Sequence, residues 1–377
     1  MNISYVTTYD AGDINQWSGL GYYIAGALKQ QNAGLDYIGG LHTPVTKYLE
    51  FKQRVYNKLG KRYLFDRVPW RVRSDARQAQ MRVSPAADII FSPSTLPLSL
   101  MKTRQPKVFY TDATFAGMLD FYPYLTNVCA ESIRNGNRLE QAAFDSCALA
   151  IYSSAWAAKT AIDNYKVSPQ KIKVVPFGAN IICDRTPADI QQLTANKDTG
   201  TCHLFFLGVE WDRKGGDTAI NVAQLLNEGG LPTTLHIAGV DELPVEHLPA
   251  YVKNYGFLNK NKPEDQQQLN SLFEKCHFLI LPTKADCTPV VYAEANSFGL
   301  PCISINVGGI PTIIEDDVNG KKFSLTDGAE KYAAYIESCF TNYTAYAELC
   351  RSSFNEYETR LNWKTSGKAV MDLLLEV

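Results

Sequence analysis

The stretch His277-Phe278-Leu279-Ile280-Leu281-Pro282, then Thr283-Lys284-Ala285-Asp286-Cys287-Thr288-Pro289, then Val290-Val291-Tyr292-Ala293-Glu294-Ala295-Asn296-Ser297-Phe298-Gly299-Leu300-Pro301, decides the fold. Its first part is a short unbroken apolar run closed by proline, the pattern of a strand buried on both faces of a parallel sheet. A loop carrying Asp286 follows, and a short helix begins near Val290. Gly299 supplies the left-handed cap and Pro301 stops the helix from continuing. The free N–H groups of Val290 and Val291 then face the crevice, where a helix N-terminus favours phosphate. Glu294 lies about one turn further in, on a side that reaches a ribose diol. Asp286 precedes the helix, placed to accept hydrogen bonds from sugar hydroxyls. One site of this kind can hold both ends of a sugar nucleotide.

The same alternation runs outward in both directions. Short apolar runs at 203–208, 234–238 and 302–306 read as companion strands, with helices at 217–227, 263–275 and 292–298. In the first half, strands are expected at 3–7, 89–92, 107–110, 149–153 and 173–176, with helices at 21–31 and 155–165. Two β/α arrays in series imply an α/β protein of two doubly wound domains. At 377 residues, two cores are also the natural expectation. The join is expected in the polar, weakly patterned segment 184–200, and ligands beyond the carboxyl ends of the strands.

Composition narrows the class. A hydrophobic content of 45%, 20% charged residues and a net charge of −2 describe a globular chain and argue against general nucleic-acid binding. No apolar run approaches the roughly 18 residues of a membrane span. The N-terminus enters a strand directly, without the features of a signal peptide. Nine cysteines stand singly, with no CxxC pair, which fits a reducing cytoplasm and neither a zinc site nor a disulfide framework. Charge is uneven: eleven basic residues fall between 47 and 82, against Glu50, Asp66 and Asp75. Tyr48, Phe51, Tyr56, Tyr63, Phe65 and Trp70 are interleaved with them. Such a stretch suits an anionic membrane with a lipid-linked acceptor, an acidic glycan, or a solvated helical insertion with a core-facing aromatic side.

An acidic residue, seven intervening residues, a glutamate and then Ala-x-x-x-Gly-x-Pro, here Asp286 to Pro301, resembles the donor-site signature of the retaining family-4 glycosyltransferases of GT-B fold. Asp286 stands where that family usually has glutamate, and Pro289 where it usually has glycine. The resemblance implies two Rossmann-like domains facing a deep interdomain cleft, with the last helix crossing back to the N-terminal domain. The domains are then 1–183, acceptor-binding and completed by 360–377, and 184–359, donor-binding. In Leu207-Gly208-Val209-Glu210-Trp211-Asp212-Arg213-Lys214-Gly215-Gly216 it assigns Lys214 to the donor phosphates, at the turn made by Gly208. Val209 replaces a second basic residue, a duty Arg213 can take over. Tyr255-Gly256-Phe257-Leu258 looks like the loop whose backbone reads the nucleobase, through Phe257 and Leu258. The segment 302–311, with Gly308 and Gly309, is similar to the loop that follows the signature.

In the first half, Trp17-Ser18-Gly19-Leu20-Gly21 occupies the place of the family's glycine-rich loop, so Gly19 and Gly21 would approach a diphosphate or acceptor. After the strand ending Tyr110-Thr111, many relatives carry a histidine that touches the transferring sugar, and this chain offers Asp112. Asp112 either accepts from a sugar hydroxyl or caps the following helix, and both readings stay open. Ser153 or Ser154 reads as a helix N-cap.

The expected activity is transfer of a hexose-type sugar from a UDP- or GDP-sugar to a glycan or lipid-linked acceptor, with retention and without metal or other cofactor. Lys214, Asp286 and Asp112 would carry the catalysis. Arg213, Pro289, Val290, Val291, Glu294, Gly208, Phe257 and Leu258 would hold the donor. The protein is expected in the cytoplasm, with a peripheral contact at the inner face of the membrane through 47–82. A sugar-nucleotide epimerase of the same fold and a non-catalytic sugar-nucleotide-binding protein are the alternatives.

Overall fold

The computed structural model describes residues 1–244 and 247–377. The chain divides into two compact units, Met1–Phe177 with Trp363–Val377, and Gly178–Asn362. Each is built on one six-stranded, all-parallel sheet. The first contains β1 (Asn2–Val6), β2 (Gly34–Ile38), β3 (Ile89–Ser92), β4 (Lys107–Thr111), β5 (Leu149–Tyr152) and β6 (Ile172–Val174), in the order β2-β1-β3-β4-β5-β6. The second contains β7 (Cys202–Leu207), β8 (Thr233–Ala238), β9 (Val252–Asn254), β10 (Phe278–Leu281), β11 (Cys302–Ile305) and β12 (Gly320–Phe323), in the order β12-β11-β10-β7-β8-β9.

The expected central strands are present with small shifts at their ends. β2, β9 and β12 are additional to the expected set, and each lies at the edge of its sheet. An edge strand has one partner and more solvent contact, so it need not be a continuous apolar run. β2 buries only Ile38 fully, and β12 carries Lys321 and Lys322 between Gly320 and Phe323.

Strand order locates the ligand side. In the second sheet the chain starts at β7, winds outward through β8 and β9, and returns to the other side of β7 with β10. The order therefore reverses between β7 and β10, where open α/β sheets bind ligands. In the first sheet the reversal lies between β1 and β3.

Helices cover the sheets for local reasons. Thr186 caps the helix Pro187–Ala195 in a capping box with Asp189. Ser154 caps Ala155–Asn164 by accepting from the Ala157 N–H at 3.2 Å, which decides between the two serines expected there. The last helix, Trp363–Leu374, belongs to the first unit and packs on Leu20–Gln30. Gly367 lies so close that a Cβ would sit 2.8 Å from the Ala27 carbonyl oxygen. Gly136 similarly seats the ring of Phe115, whose atoms approach to 2.1 Å of where a Cβ would stand.

The floor of the second unit holds a chain of histidines. His277 Nδ1 accepts the His203 backbone N–H at 3.0 Å, so the His277 proton resides on Nε2. His236 joins His203 Nδ1 at 3.2 Å through Nε2 and the Tyr255 hydroxyl at 2.8 Å through Nδ1. Burial pushes His236 and His277 down to about 3, and His203 below its usual value. Lys275 and Lys253 act in the same direction on His203 and His236, Lys197 does so on His277, and Asp198 opposes the fall at His203 and His277. The unfolded chain therefore takes up these protons first, near pH 6.5, and the stability contributed by neutral histidines is lost as pH falls from there toward 3. The melting temperature is expected to drop on acidification from pH 7 to pH 4, and less steeply in a His236→Gln variant. Parallel pH–melting curves for the two proteins would contradict this.

Candidate functional site

At the switch point, β7 ends at Leu207 and Gly208 makes the turn. A Cβ on Gly208 would lie 3.0 Å from Lys214 Cγ, so glycine leaves the lane that the lysine stem occupies. The short helix Trp211–Lys214 follows, stopped by Gly215 at φ +78°, where a Cβ would strike the Pro282 carbonyl oxygen at 2.3 Å. Only glycine permits both that left-handed turn and that approach, and the approach brings the β7 loop against the end of β10. Trp211 is buried over Gly216 and donates its indole N–H to Asp217 at 2.9 Å, which locks the loop.

From the β10 side, Lys284 donates its N–H to the Arg213 carbonyl at 2.8 Å, and the Asp286 carbonyl accepts from the Gly309 N–H at 3.0 Å. Between these anchors the Asp286 carboxylate meets Lys214 Nζ at 2.5 Å and Arg213 Nη1 at 3.4 Å. Arg213 is itself held on both oxygens of Glu210, at 2.9 and 2.7 Å, and on the Ala285 carbonyl at 2.6 Å. Hydrogen bonding from Arg213, opposed by burial, holds the Glu210 carboxyl below its ordinary range. All three charged groups of the Arg213–Lys214–Asp286 cluster are largely buried. Their mutual attraction must offset the loss of hydration, and removing one member leaves the others uncompensated.

The helix Val290–Asn296 starts after Pro289, which stands at the N-cap position without a side-chain cap. Val290 and Val291 are its first two residues, whose N–H groups have no intrahelical acceptor. The helix is pinned from below: the Tyr292 hydroxyl donates to the Leu281 carbonyl at 2.9 Å and lies 2.6 Å from the Ser304 hydroxyl. Gly299 adopts the left-handed conformation expected of it, at φ +64°. Glu294 is buried, and both its oxygens are taken by Lys260 Nζ, at 2.5 and 2.6 Å. Lys260 stands just beyond Phe257 and Leu258. Phe257 is exposed and its N–H donates to Asp241 at 2.8 Å, while Leu258 packs against the core. Glu315, Asp316 and Asp317 lie at a turn, with Asp316 paired to Lys322 and Asp317 to Lys321. No group of three or more His, Cys, Asp or Glu side chains among the described residues is arranged to hold a metal ion.

In the first unit, Trp17 and Ser18 adopt left-handed backbone conformations, φ 46° and 53°, ahead of Gly19 at φ +80°. Non-glycine residues pay for that conformation, and such strain concentrates at functional loops. Gly21 opens the next helix, and a Cβ there would lie 2.4 Å from the Tyr9 hydroxyl. Tyr9 is a residue that the sequence pattern did not single out. Its hydroxyl oxygen is buried without a hydrogen-bond partner among the described residues, and burial followed by the Asp112 carboxylate pushes its pKa well up. The glycine loop, Tyr9 and Asp112 thus share one end of the first sheet. The helix after β4 is capped by Thr114, which accepts from the Gly117 N–H at 3.0 Å, so Asp112 is not the cap residue.

These two sheets, with their switch-point loops, define the GT-B fold, and known proteins agree. Residues 201–342, within the second unit, match the family model described as glycosyl transferases group 1. HepE of Anabaena, solved in complex with UDP and glucose, is similar over the full length of both chains, with a TM-score of 0.65 and 18% identity. An uncharacterized 41.2 kDa protein in the cps region of Klebsiella pneumoniae is 23% identical over 247 residues, which cover 63% of each chain. A D-inositol 3-phosphate glycosyltransferase of Acidothermus cellulolyticus is 25% identical over 204 residues, 49% of this chain and 44% of the relative. The chain thus spans less than two thirds of the length of either curated relative.

Because Lys214 and Asp286 are a largely buried pair, Lys214→Met and Asp286→Asn are each expected to cost about 3–5 kcal/mol in urea unfolding, and the double variant less than their sum. Strict additivity would mean the pair is not formed in solution.

Proposed function

We propose that the chain is a retaining glycosyltransferase that moves a hexose from a nucleoside diphosphate sugar to a hydroxyl of a glycan or lipid-linked acceptor, without a metal. The observation that carries this reading is the Lys214–Asp286 pair at the β7/β10 switch point, on the same segment as the buried Glu294 and inside the stretch matching the glycosyltransferase family model. The nucleotide-bound HepE neighbour supports the donor class, UDP or GDP being the expected nucleotide.

In this reading the unit containing Gly178–Asn362 binds the donor. Glu294 accepts from the ribose hydroxyls, and the backbone near Phe257 and Leu258 meets the base. The diphosphate lies by the Val290 and Val291 N–H groups, at the turn of Gly208, with Lys214 and Arg213 countering its charge. Asp286 accepts hydrogen bonds from the hexose, and Pro289 shapes the turn between the two ends. The unit containing β1 to β6 binds the acceptor, with Gly19, Gly21 and Asp112 at the strand ends facing it.

The acceptor oxygen bonds to the anomeric carbon as the bond from that carbon to the diphosphate oxygen breaks. The acceptor proton passes to the departing phosphate, and attack on the leaving-group face retains configuration. Charge accumulates on the diphosphate, so preorganised cations and N–H groups there supply most of the rate. Lys214 is already fixed by Asp286 and needs little reorganisation.

The basic segment supports a membrane-facing acceptor. On the helix Lys47–Lys58, Leu49 turns inward to a small core with Tyr63, Val68 and Cys129, and Tyr56 stacks on Tyr63. Tyr48, Phe51 and Val55, with Leu59 just past the helix end, recur at helical spacing and are exposed, Phe51 at 63%. The aromatic residues of this segment therefore divide between core and solvent. An exposed apolar stripe beside Lys47, Arg54 and Lys58 suits an anionic bilayer, where a soluble polyanion would need only the charge. No helix among the described residues is long and apolar enough to cross a membrane. The reading places the protein at the inner face of the cytoplasmic membrane.

Incubation with UDP-, GDP- and ADP-sugars is expected to release nucleoside diphosphate only when an acceptor is present, at a rate unchanged by a chelator. Lys214→Ala and Glu294→Ala should each lower that rate by about tenfold or more. Acceptor-independent isomerisation of the sugar would favour an epimerase, and binding without turnover a non-catalytic protein. Vesicles containing phosphatidylglycerol should sediment the protein, and phosphatidylcholine vesicles should not. Phe51→Glu should abolish sedimentation, and its retention would point to purely ionic capture.

A further inference from the structure

Glu294 is 1% exposed, and Lys260 is the only partner of its carboxylate among the described residues. Lys260 is 45% exposed and stands on the loop between β9 and the helix Pro263–Lys275. That loop has its own supports. The Gly239 N–H donates to the Gly256 carbonyl at 2.8 Å, the Phe257 N–H to Asp241 at 2.8 Å, and the Asn259 N–H to Asp265 at 2.8 Å. The lysine side chain therefore reaches from an already built loop, through partial solvent, to a carboxylate inside the neighbouring helix.

We propose that Lys260 is the positioning residue of the nucleotide site, pairing with the buried Glu294 carboxylate and aiming it so that a ribose diol meets both its oxygens. The inference rests on the nucleotide-sugar reading above. A carboxylate withdrawn from water without a partner is costly, and a side chain left so turns away from its buried position. A carboxylate that turns away loses its aim, while a ribose diol brings two O–H donors that need acceptors in a fixed place. An ammonium spanning both oxygens leaves lone pairs on each, so lysine and ribose share the carboxylate rather than compete for it. Hydrogen bonds to the charged form are the stronger kind. The same contact joins the loop at Phe257 and Leu258 to the ribose position, which couples recognition of the base to recognition of the sugar.

Titration calorimetry tests this with whichever of UDP, GDP and ADP binds tightest to the full-length protein, together with its 2′-deoxy and 3′-deoxy counterparts. The unaltered protein is expected to lose about tenfold in affinity for at least one deoxy nucleotide, the scale of one charge-assisted hydrogen bond. Lys260→Met should bind the ribonucleotide about tenfold more weakly and bring the ribo-to-deoxy ratio close to one, whereas Lys260→Arg should restore the ratio. Donor KM should rise in Lys260→Met while kcat stays within about twofold, since the contact is remote from the bond that breaks. Lys260→Gln serves the same test should the methionine variant fail to fold. Unchanged affinity and ratio in the variants would overturn the proposal. So would tighter binding, which would make Lys260 a competitor of the ribose, or an unaltered protein indifferent to both deoxy nucleotides. Failure of the unaltered protein to bind any of the three nucleotides would instead remove the nucleotide-sugar reading itself.

Discussion

The contact between Lys214 and Asp286 is the constraint on which the arrangement of the second unit depends. Two strands that are neighbours in the sheet, β7 and β10, are far apart in sequence, and their loops must close against each other for the pair to form. Three glycines make this possible by absence of a side chain. Gly208 leaves room for the lysine stem, Gly215 turns left-handed against the Pro282 carbonyl, and Gly239 backs Gly208 at a distance where a Cβ would meet the Gly208 oxygen at 2.6 Å. Around them Arg213, Glu210 and the Ala285 carbonyl form a hydrogen-bonded frame. A charged pair removed from water gains little stability by itself. Its value is positional, because it holds a cation where a sheet of this winding receives ligands.

A second feature repeats the first. Glu294 is paired with Lys260 much as Asp286 is paired with Lys214, so both acidic positions of the segment 286–294 sit against a lysine ammonium. Each carboxylate is buried, where an unpaired charge would be costly. The pairing lets acidic residues be built into this buried step without leaving a charge unpartnered. The helix Val290–Asn296 that carries Glu294 is tied to β10 and β11 through Tyr292, which fixes the carboxylate's place against Lys260.

Much of this was legible from local pattern. The central strands read as apolar runs, Gly299 and Pro301 marked a helix end, and the spacing from Asp286 to Glu294 placed two carboxylates on one strand–loop–helix step. What stayed hidden has physical causes. The edge strands β2, β9 and β12 lack the apolar signal because only part of each is buried. Lys260 lies 34 residues before Glu294, and nothing local to Asn259-Lys260-Asn261 distinguishes a lysine that reaches a buried carboxylate from one in solvent. Tyr9 was missed for the same reason. Its place against Gly21 and near Asp112 comes from the parallel order of β1, β3 and β4, which local pattern does not encode. The open role of Asp112 narrowed once Thr114 proved to be the cap, a distinction of two residues that the pattern of threonines and aspartate left undecided.

The central claim is that the second unit holds a sugar nucleotide along the line from Lys214 to Glu294. A crystal structure of the protein soaked with an intact nucleoside diphosphate sugar tests it most directly. The account predicts diphosphate density beside Lys214 and the Val290 and Val291 N–H groups, with the ribose hydroxyls on Glu294 and Lys260 still in contact with it. Density for the nucleotide elsewhere on the chain, with the Lys214–Asp286 and Lys260–Glu294 pairs untouched, would contradict it.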